Sequence, residues 1–154
     1  MMGAKIQQAA TGDAARLTAI ALAAKSHWKY PEEYLTLWKD DLTITPEYIL
    51  KNTVLKAVNE EGDILGMGAV EFSTTFNAYE IGHMWVHPKY MGYGIGRWVL
   101  NALINHAQKA GIKQLYAVSD PNAQGFYEKM GFVLTGQQAS QPEGRYLPVL
   151  ILHI

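Results

Sequence analysis

The chain has 154 residues, of which 49% are hydrophobic, enough for one compact domain with a sizeable core. Its formal net charge of -1, with no run of like charges, gives no electrostatic footprint for nucleic acid or an anionic membrane surface, and a small-molecule partner is favoured. The absence of cysteine excludes a disulfide framework, a thiolate nucleophile and a cysteine zinc site.

Met1 to Gln8 carries no apolar core of leader-peptide length, and no apolar run elsewhere would span a bilayer, so the sequence reads as soluble and cytoplasmic. Lys5 to Thr11 reads as a first strand. Thr11, Gly12 and Asp13 then cap a helix over Ala14 to Lys25, where Leu17, Ile20, Ala21 and Ala24 recur at helical spacing. Pro31 ends the segment His27-Trp28-Lys29-Tyr30, because the residue before proline is pushed out of the helical region. A second helix is expected over Glu32 to Leu42, and a short one starts at Thr45-Pro46-Glu47.

Val54 to Asn59 and Ile64 to Ser73 flank the polar turn Glu60-Glu61-Gly62-Asp63 and form an antiparallel hairpin. A fourth strand covers Ala78 to His87. Simple alternation there puts Glu80, Gly82, Met84 and Val86 on one face, and Ile81, His83, Trp85 and His87 on the other. A helix over Ile95 to Ala110, a strand over Ile112 to Val118, a helix over Pro121 to Met130 and strands over Phe132 to Gly136 and Leu147 to Ile154 complete the chain. This order is an α+β arrangement of layers, not a doubly wound parallel sheet.

Between the fourth strand and its following helix stands His87-Pro88-Lys89-Tyr90-Met91-Gly92-Tyr93-Gly94-Ile95-Gly96-Arg97. Glycines at a strand-to-helix turn let backbone N–H groups and the positive end of the helix dipole converge on a phosphate. An isolated Gly-x-Gly-x-Gly is as often a plain structural turn. The dinucleotide fingerprint would need glycine where Arg97 stands, and no Gly-Lys-Ser/Thr tripeptide follows, so an NAD site and a nucleoside triphosphate loop are both excluded.

The second segment is Asn122-Ala123-Gln124-Gly125-Phe126-Tyr127-Glu128-Lys129-Met130-Gly131-Phe132. With the glycine turn it resembles the N-acetyltransferases of the GNAT superfamily, in which a strand ending Val-x-Pro leads to an Arg/Gln-x-x-Gly-x-Gly/Ala turn and a later Asn-x-x-x-x-Phe-Tyr-x-x-x-Gly-Phe completes a coenzyme A site. The resemblance is specific from about Glu80 to Phe132 and departs at Met91, where the family usually has a long polar residue. It implies one N-acetyltransferase domain over residues 1 to 154, with a mixed, mostly antiparallel sheet of about seven strands flanked by helices and splayed between strands 4 and 5.

The implied co-substrate is acetyl-CoA and the implied acceptor a small amine, with no metal. The resemblance puts the pyrophosphate on the Met91 to Arg97 turn (Met91, Gly92, Tyr93, Gly94, Ile95, Gly96, Arg97), the pantetheine on backbone of Trp85 and Val86, and Asn122, Phe126 and Tyr127 beside it. Tyr127 matches the family position of the acid that serves the leaving thiolate. Phe126 and Met130 form an i, i+4 apolar pair that would leave Tyr127 turned from that face. Glu80 matches a frequent base position, with His83 in reserve from the opposite face. His83 and His87 lie roughly 13 Å apart along a strand, which argues against a shared metal. The family's usual acceptor pocket directs attention to His27, Trp28, Tyr30 and Arg145, the last as solvent-facing charge or as a clamp for a carboxylate. Two alternatives stay open: a noncatalytic acyl-CoA sensor and a protein or peptide N-acetyltransferase. The oligomeric state is open between monomer and homodimer.

Overall fold

The computed structural model describes residues 3 to 154, so Met1 and Met2, the start of the stretch read as lacking a leader, lie outside it. Seven strands form one sheet in the order β1-β2-β3-β4-β5-β7-β6. They are β1 (Lys5–Gln8), β2 (Thr53–Val58), β3 (Ile64–Ser73), β4 (Ala78–Val86), β5 (Gln114–Val118), β6 (Val133–Ala139) and β7 (Tyr146–His153). Every neighbouring pair is antiparallel except β4 and β5. A parallel pair needs a crossover, and helix α5 (Ile95–Lys109) supplies it.

Helix α1 (Ala14–Ser26) buries Leu17, Ile20, Ala21 and Ala24, and Leu17, Ile20 and Ala21 join the core cluster that holds Met67 and Ala69 of β3. The apolar stripe of α5 packs in a second cluster with Leu65, Val70, Leu115 and Leu150. The sheet is therefore covered on both faces, as two amphipathic helices require. No helix among the described residues is long and apolar enough to cross a membrane.

Element boundaries depart from the sequence expectations where side chains intervene. The first strand stops at Gln8, because Thr11–Asp13 makes a tight turn in which the Asp13 carboxylate accepts the Ala10 N–H at 2.8 Å and the Lys56 ammonium at 2.8 Å. The helix expected over Glu32 to Leu42 is two short helices, α2 (Glu32–Leu37) and α3 (Lys39–Leu42), joined at buried Trp38, whose indole donates to the Gln141 carbonyl at 2.8 Å. Helix α4 (Pro46–Lys51) is capped by Thr45, which accepts from Tyr48 N–H. The helix expected over Pro121 to Met130 is a 3-10 turn, Pro121–Ala123, followed by α6 (Gln124–Lys129).

The largest correction concerns β4. Its register against β3 pairs Ala69 with His83 and Val70 with Ile81, leaving Gly82 as an unpaired bulge residue. The alternation therefore slips by one. Ile81, Met84 and Val86 join the α5 side, whereas Trp85 joins the α1 side and His83 packs edge-on against Tyr48 at 5.2 Å. Glu80 is the direct cross-strand partner of Glu71, and the Tyr48 hydroxyl donates to Glu71 Oε1 at 3.0 Å. Glu80 and His83 consequently share one face, not two. Glycine at the bulge leaves the space that Glu71 Oε1 and the Tyr48 hydroxyl occupy, and a Cβ at Gly82 would displace both.

Candidate active site

β4 and β5 pair only from Tyr79 to Ile81 and from Leu115 to Ala117. Beyond that they part, β4 continuing along β3 to Val86 while β5 ends at Val118. A cavity of about 350 Å³ opens where they diverge. Its walls are β4 from Ile81 to Val86, the segment from Val118 to Asp120, and Phe126 and Tyr127 of α6, with the glycine turn at one end.

That turn has the geometry an anion needs. Gly92 and Gly94 sit at φ 88 and φ 80, and the first helical bond of α5 runs from Trp98 N–H to the Gly94 carbonyl, so the amides of Ile95, Gly96 and Arg97 have no carbonyl upstream. A Cβ on Gly92 or Gly94 would meet no atom within 4 Å, so backbone conformation, not crowding, demands glycine there. At Gly96 the reason is contact: a Cβ would lie 3.3 Å from Phe126 Cε1 and 3.4 Å from Val86 Cγ2.

Of the residues expected around a cofactor, Trp85, Val86, Met91, Gly92, Gly94, Ile95, Gly96, Arg97, Phe126 and Tyr127 all line this cavity. Tyr93 does not; it is 68% exposed. Asn122 does not either, its side-chain amide donating instead to Asp120 Oδ1 at 3.0 Å and to the Tyr30 hydroxyl at 3.1 Å. Tyr127 is not turned from the core as the helical pairing suggested. It is the buried residue of α6, packed between the rings of Phe126 and Phe132. Burial raises its pKa beyond the ordinary phenol range.

A second cavity, of about 710 Å³, lies on the Tyr48 side of the bulge. Asp40, Asp41, Glu71 and Glu80 line it, and among the described residues no lysine or arginine does. The two cavities share Ile81, Gly82, His83 and Val118, the residues at the point where β4 and β5 part. Burial, reinforced by the Glu71 carboxylate, pushes Glu80 up to about 7, and burial pulls His83 down to about 4. The Trp85 indole donates to His83 Nδ1 at 2.9 Å.

The model of the Acetyltransferase (GNAT) family matches residues 15–132. The chain belongs to that family. Among curated relatives it is 26% identical, over 53% of its length, to the uncharacterized N-acetyltransferase ycf52 of Pyropia yezoensis, and covers only 46% of that protein. The PaiA N-acetyltransferase of Thermoplasma acidophilum, solved with coenzyme A, has a TM-score of 0.78 at 18% identity, covering 99% of this chain and 100% of its own. YncA of Salmonella typhimurium, solved with acetyl-CoA, has a TM-score of 0.69 at 22% identity over 97% of this chain and 93% of its own. Both show the GNAT fold. The stretch matched to the family ends just before β6, so the β6–β7 hairpin lies beyond it.

The residues expected on the acceptor side of this GNAT chain are scattered. His27 is exposed and lines neither cavity, whereas Trp28, 44% exposed, lines the glycine-turn cavity. Tyr30 and Arg145 line neither, but meet in a buried cluster around Asp120. Asp120 pairs with Lys25, accepts from the Tyr30 hydroxyl at 3.0 Å, and has Arg145 Nη2 at 3.6 Å. The Arg145 guanidinium lies 4.3 Å from the Trp38 ring centre. Arg145 is thus neither solvent-facing nor open to a ligand from either cavity. Sequence reading missed Asp120, which also lines the glycine-turn cavity; its position before Pro121, at the cap of a helical turn, was the available signal. It also missed Tyr48 and Glu71, which no motif marks.

Proposed function

We propose that this chain transfers the acetyl group of acetyl-CoA to a primary amine of a small molecule, by direct attack in a ternary complex without a covalent enzyme intermediate. The observation that carries this reading is the meeting of two cavities at Gly82 and His83, one ending on a phosphate-type glycine turn and the other lined by four carboxylates. The first suits a pyrophosphate and the second an ammonium group. Acetyl-CoA supplies an activated thioester, and Gly92, Gly94, Ile95, Gly96 and Arg97 would hold it through their amides, with Trp85, Val86 and Phe126 along its arm. Met91 offers no polar contact, so backbone carries the phosphate binding.

Glu80 takes the proton from the incoming ammonium, directly or through water, and Tyr127 donates to the departing thiolate. Asn122 holds the turn that carries Asp120 against the cavity wall. With Glu80 near 7, kcat/KM should rise with pH through about 7 as the carboxyl loses its proton, and Glu80→Gln should lose that acid limb. A pH profile of both proteins reads this directly.

The test of the reading is thiol release from acetyl-CoA across a panel of small amines. Turnover of several supports it; tight binding of acetyl-CoA with no turnover across the panel would make the protein a sensor, and turnover of peptides alone would move the acceptor class. Gly94→Val forces a β-branched residue to φ 80, which costs at least about 1–2 kcal/mol. It should weaken coenzyme A binding about tenfold in titration calorimetry, and unchanged affinity would remove the turn from the site.

A further inference from the structure

We propose that His83 acts in this reaction as a hydrogen-bond donor, its proton fixed on Nε2 by the Trp85 indole, and that it holds the acyl carbonyl oxygen where β4 and β5 part. The inference rests on the acetyl-transfer reading and assigns a role that reading left open. An indole N–H can only donate. Trp85 Nε1 lies 2.9 Å from His83 Nδ1, so Nδ1 must be the unprotonated nitrogen and the neutral ring carries its proton on Nε2. Protonating the imidazole would set an N–H on Nδ1 against the N–H of Trp85, donor facing donor. The contact therefore fixes both tautomer and charge, and burial acts in the same direction.

Nε2 has no hydrogen-bond partner among the described residues, and it is not sealed from solvent, since Arg145 Nη2 is the one buried unpaired side-chain nitrogen or oxygen among them. The Nε2–H is therefore a donor open to the cavities and free to meet an acceptor that enters them. His83 lines both cavities, and the groups facing it from neighbouring elements are the edge of Tyr48 and, beyond its hydroxyl, Glu71. The acceptor that the reaction brings to this junction is the thioester carbonyl oxygen, which gains negative charge as the amine adds. An Nε2–H has no lone pair to offer an ammonium proton, so His83 is not the base and the proton falls to Glu80. The bulge at Gly82 makes this division possible by putting the donor and the base on one face of the sheet.

The tautomer is read without any substrate, from long-range proton–nitrogen correlation spectra of the labelled protein. Nε2 should be protonated and Nδ1 bare from pH 5 to 8, and Trp85→Phe should release the ring to a mixture of tautomers. A proton on Nδ1 in the native protein overturns the proposal. In turnover, His83→Leu should lower kcat about a hundredfold, the loss expected for one donor to a developing oxyanion, with KM for acetyl-CoA little changed. His83→Gln, which keeps an N–H near the same point, should recover to within about tenfold of native, and both variants should keep the acid limb assigned to Glu80. Equal losses in the two variants, or loss of that limb in His83→Leu, overturn the donor role. Failure of the native protein to turn over any amine defeats the transfer reading and the carbonyl assignment together, while the spectrum still reports whether the Trp85 lock exists.

Discussion

Tyr127→Phe is expected to lower kcat about 10²- to 10³-fold while leaving coenzyme A affinity within about twofold, because it deletes one hydrogen-bond donor and no packing surface. The ring fills the space between Phe126 and Phe132 in either protein. Burial raises the phenol's pKa, so it is fully protonated at any working pH and stays a donor. The same shift makes it a weaker acid than a free phenol, so the role proposed for it is a hydrogen bond to the developing thiolate more than complete proton transfer. One consequence separates this from ordinary acid catalysis: native kcat should show no alkaline limb up to about pH 10, the unperturbed phenol value. A limb near 8 or 9 that vanishes in Tyr127→Phe would mean a phenol titrating in the working range, and the buried-donor account would be wrong.

What the sequence revealed and what it hid follow from how local each feature is. The glycine turn was legible because most of its requirements sit within a few residues: positive φ at Gly92 and Gly94, and a helix start at Ile95. The order of elements was legible because β2 and β3 are runs of β-forming residues on either side of a polar turn and α5 keeps an apolar stripe at helical spacing. The faces of β4 were not. A bulge is decided by what packs against it, here Glu71 and Tyr48, and one inserted residue reverses every later side chain. Tyr127 was misoriented for a different reason. Phe126 and Met130 do share the helical i, i+4 spacing and pack on the core, but Phe132, beyond the end of α6, adds an apolar wall on which Tyr127 is buried as well. Arg145 was unreadable because its partner Asp120 is shared with Lys25, 95 residues away from that aspartate.

Asp120→Ala is expected to cost about 3–5 kcal/mol of unfolding free energy, the range for removing one member of a buried ion pair. Asp120 is the single carboxylate facing two cations, with the side chains of Lys25 and Arg145 only 9% and 14% exposed. It also accepts from Asn122 N–H at 2.8 Å and from the Tyr30 hydroxyl at 3.0 Å. Without it, two positive charges would share a pocket walled by Trp38 and Tyr30, and cation–π contact offsets only part of that repulsion. Burial alone would raise the Asp120 pKa, but the Lys25 ammonium outweighs it and holds the carboxyl below its ordinary 3.8. A depressed folded pKa gives stability that is present above the ordinary value and lost as pH falls through the folded one. The gap between native protein and Asp120→Asn, which keeps the shape and an acceptor oxygen, should therefore be full at pH 7 and close as the pH drops below about 4. Because Asp120 ties α1, the Tyr30 and Trp38 segment and the β6–β7 hairpin to the wall of the glycine-turn cavity, a loss under about 1 kcal/mol in urea titrations would show that these elements are held by apolar packing and that the ion cluster contributes little.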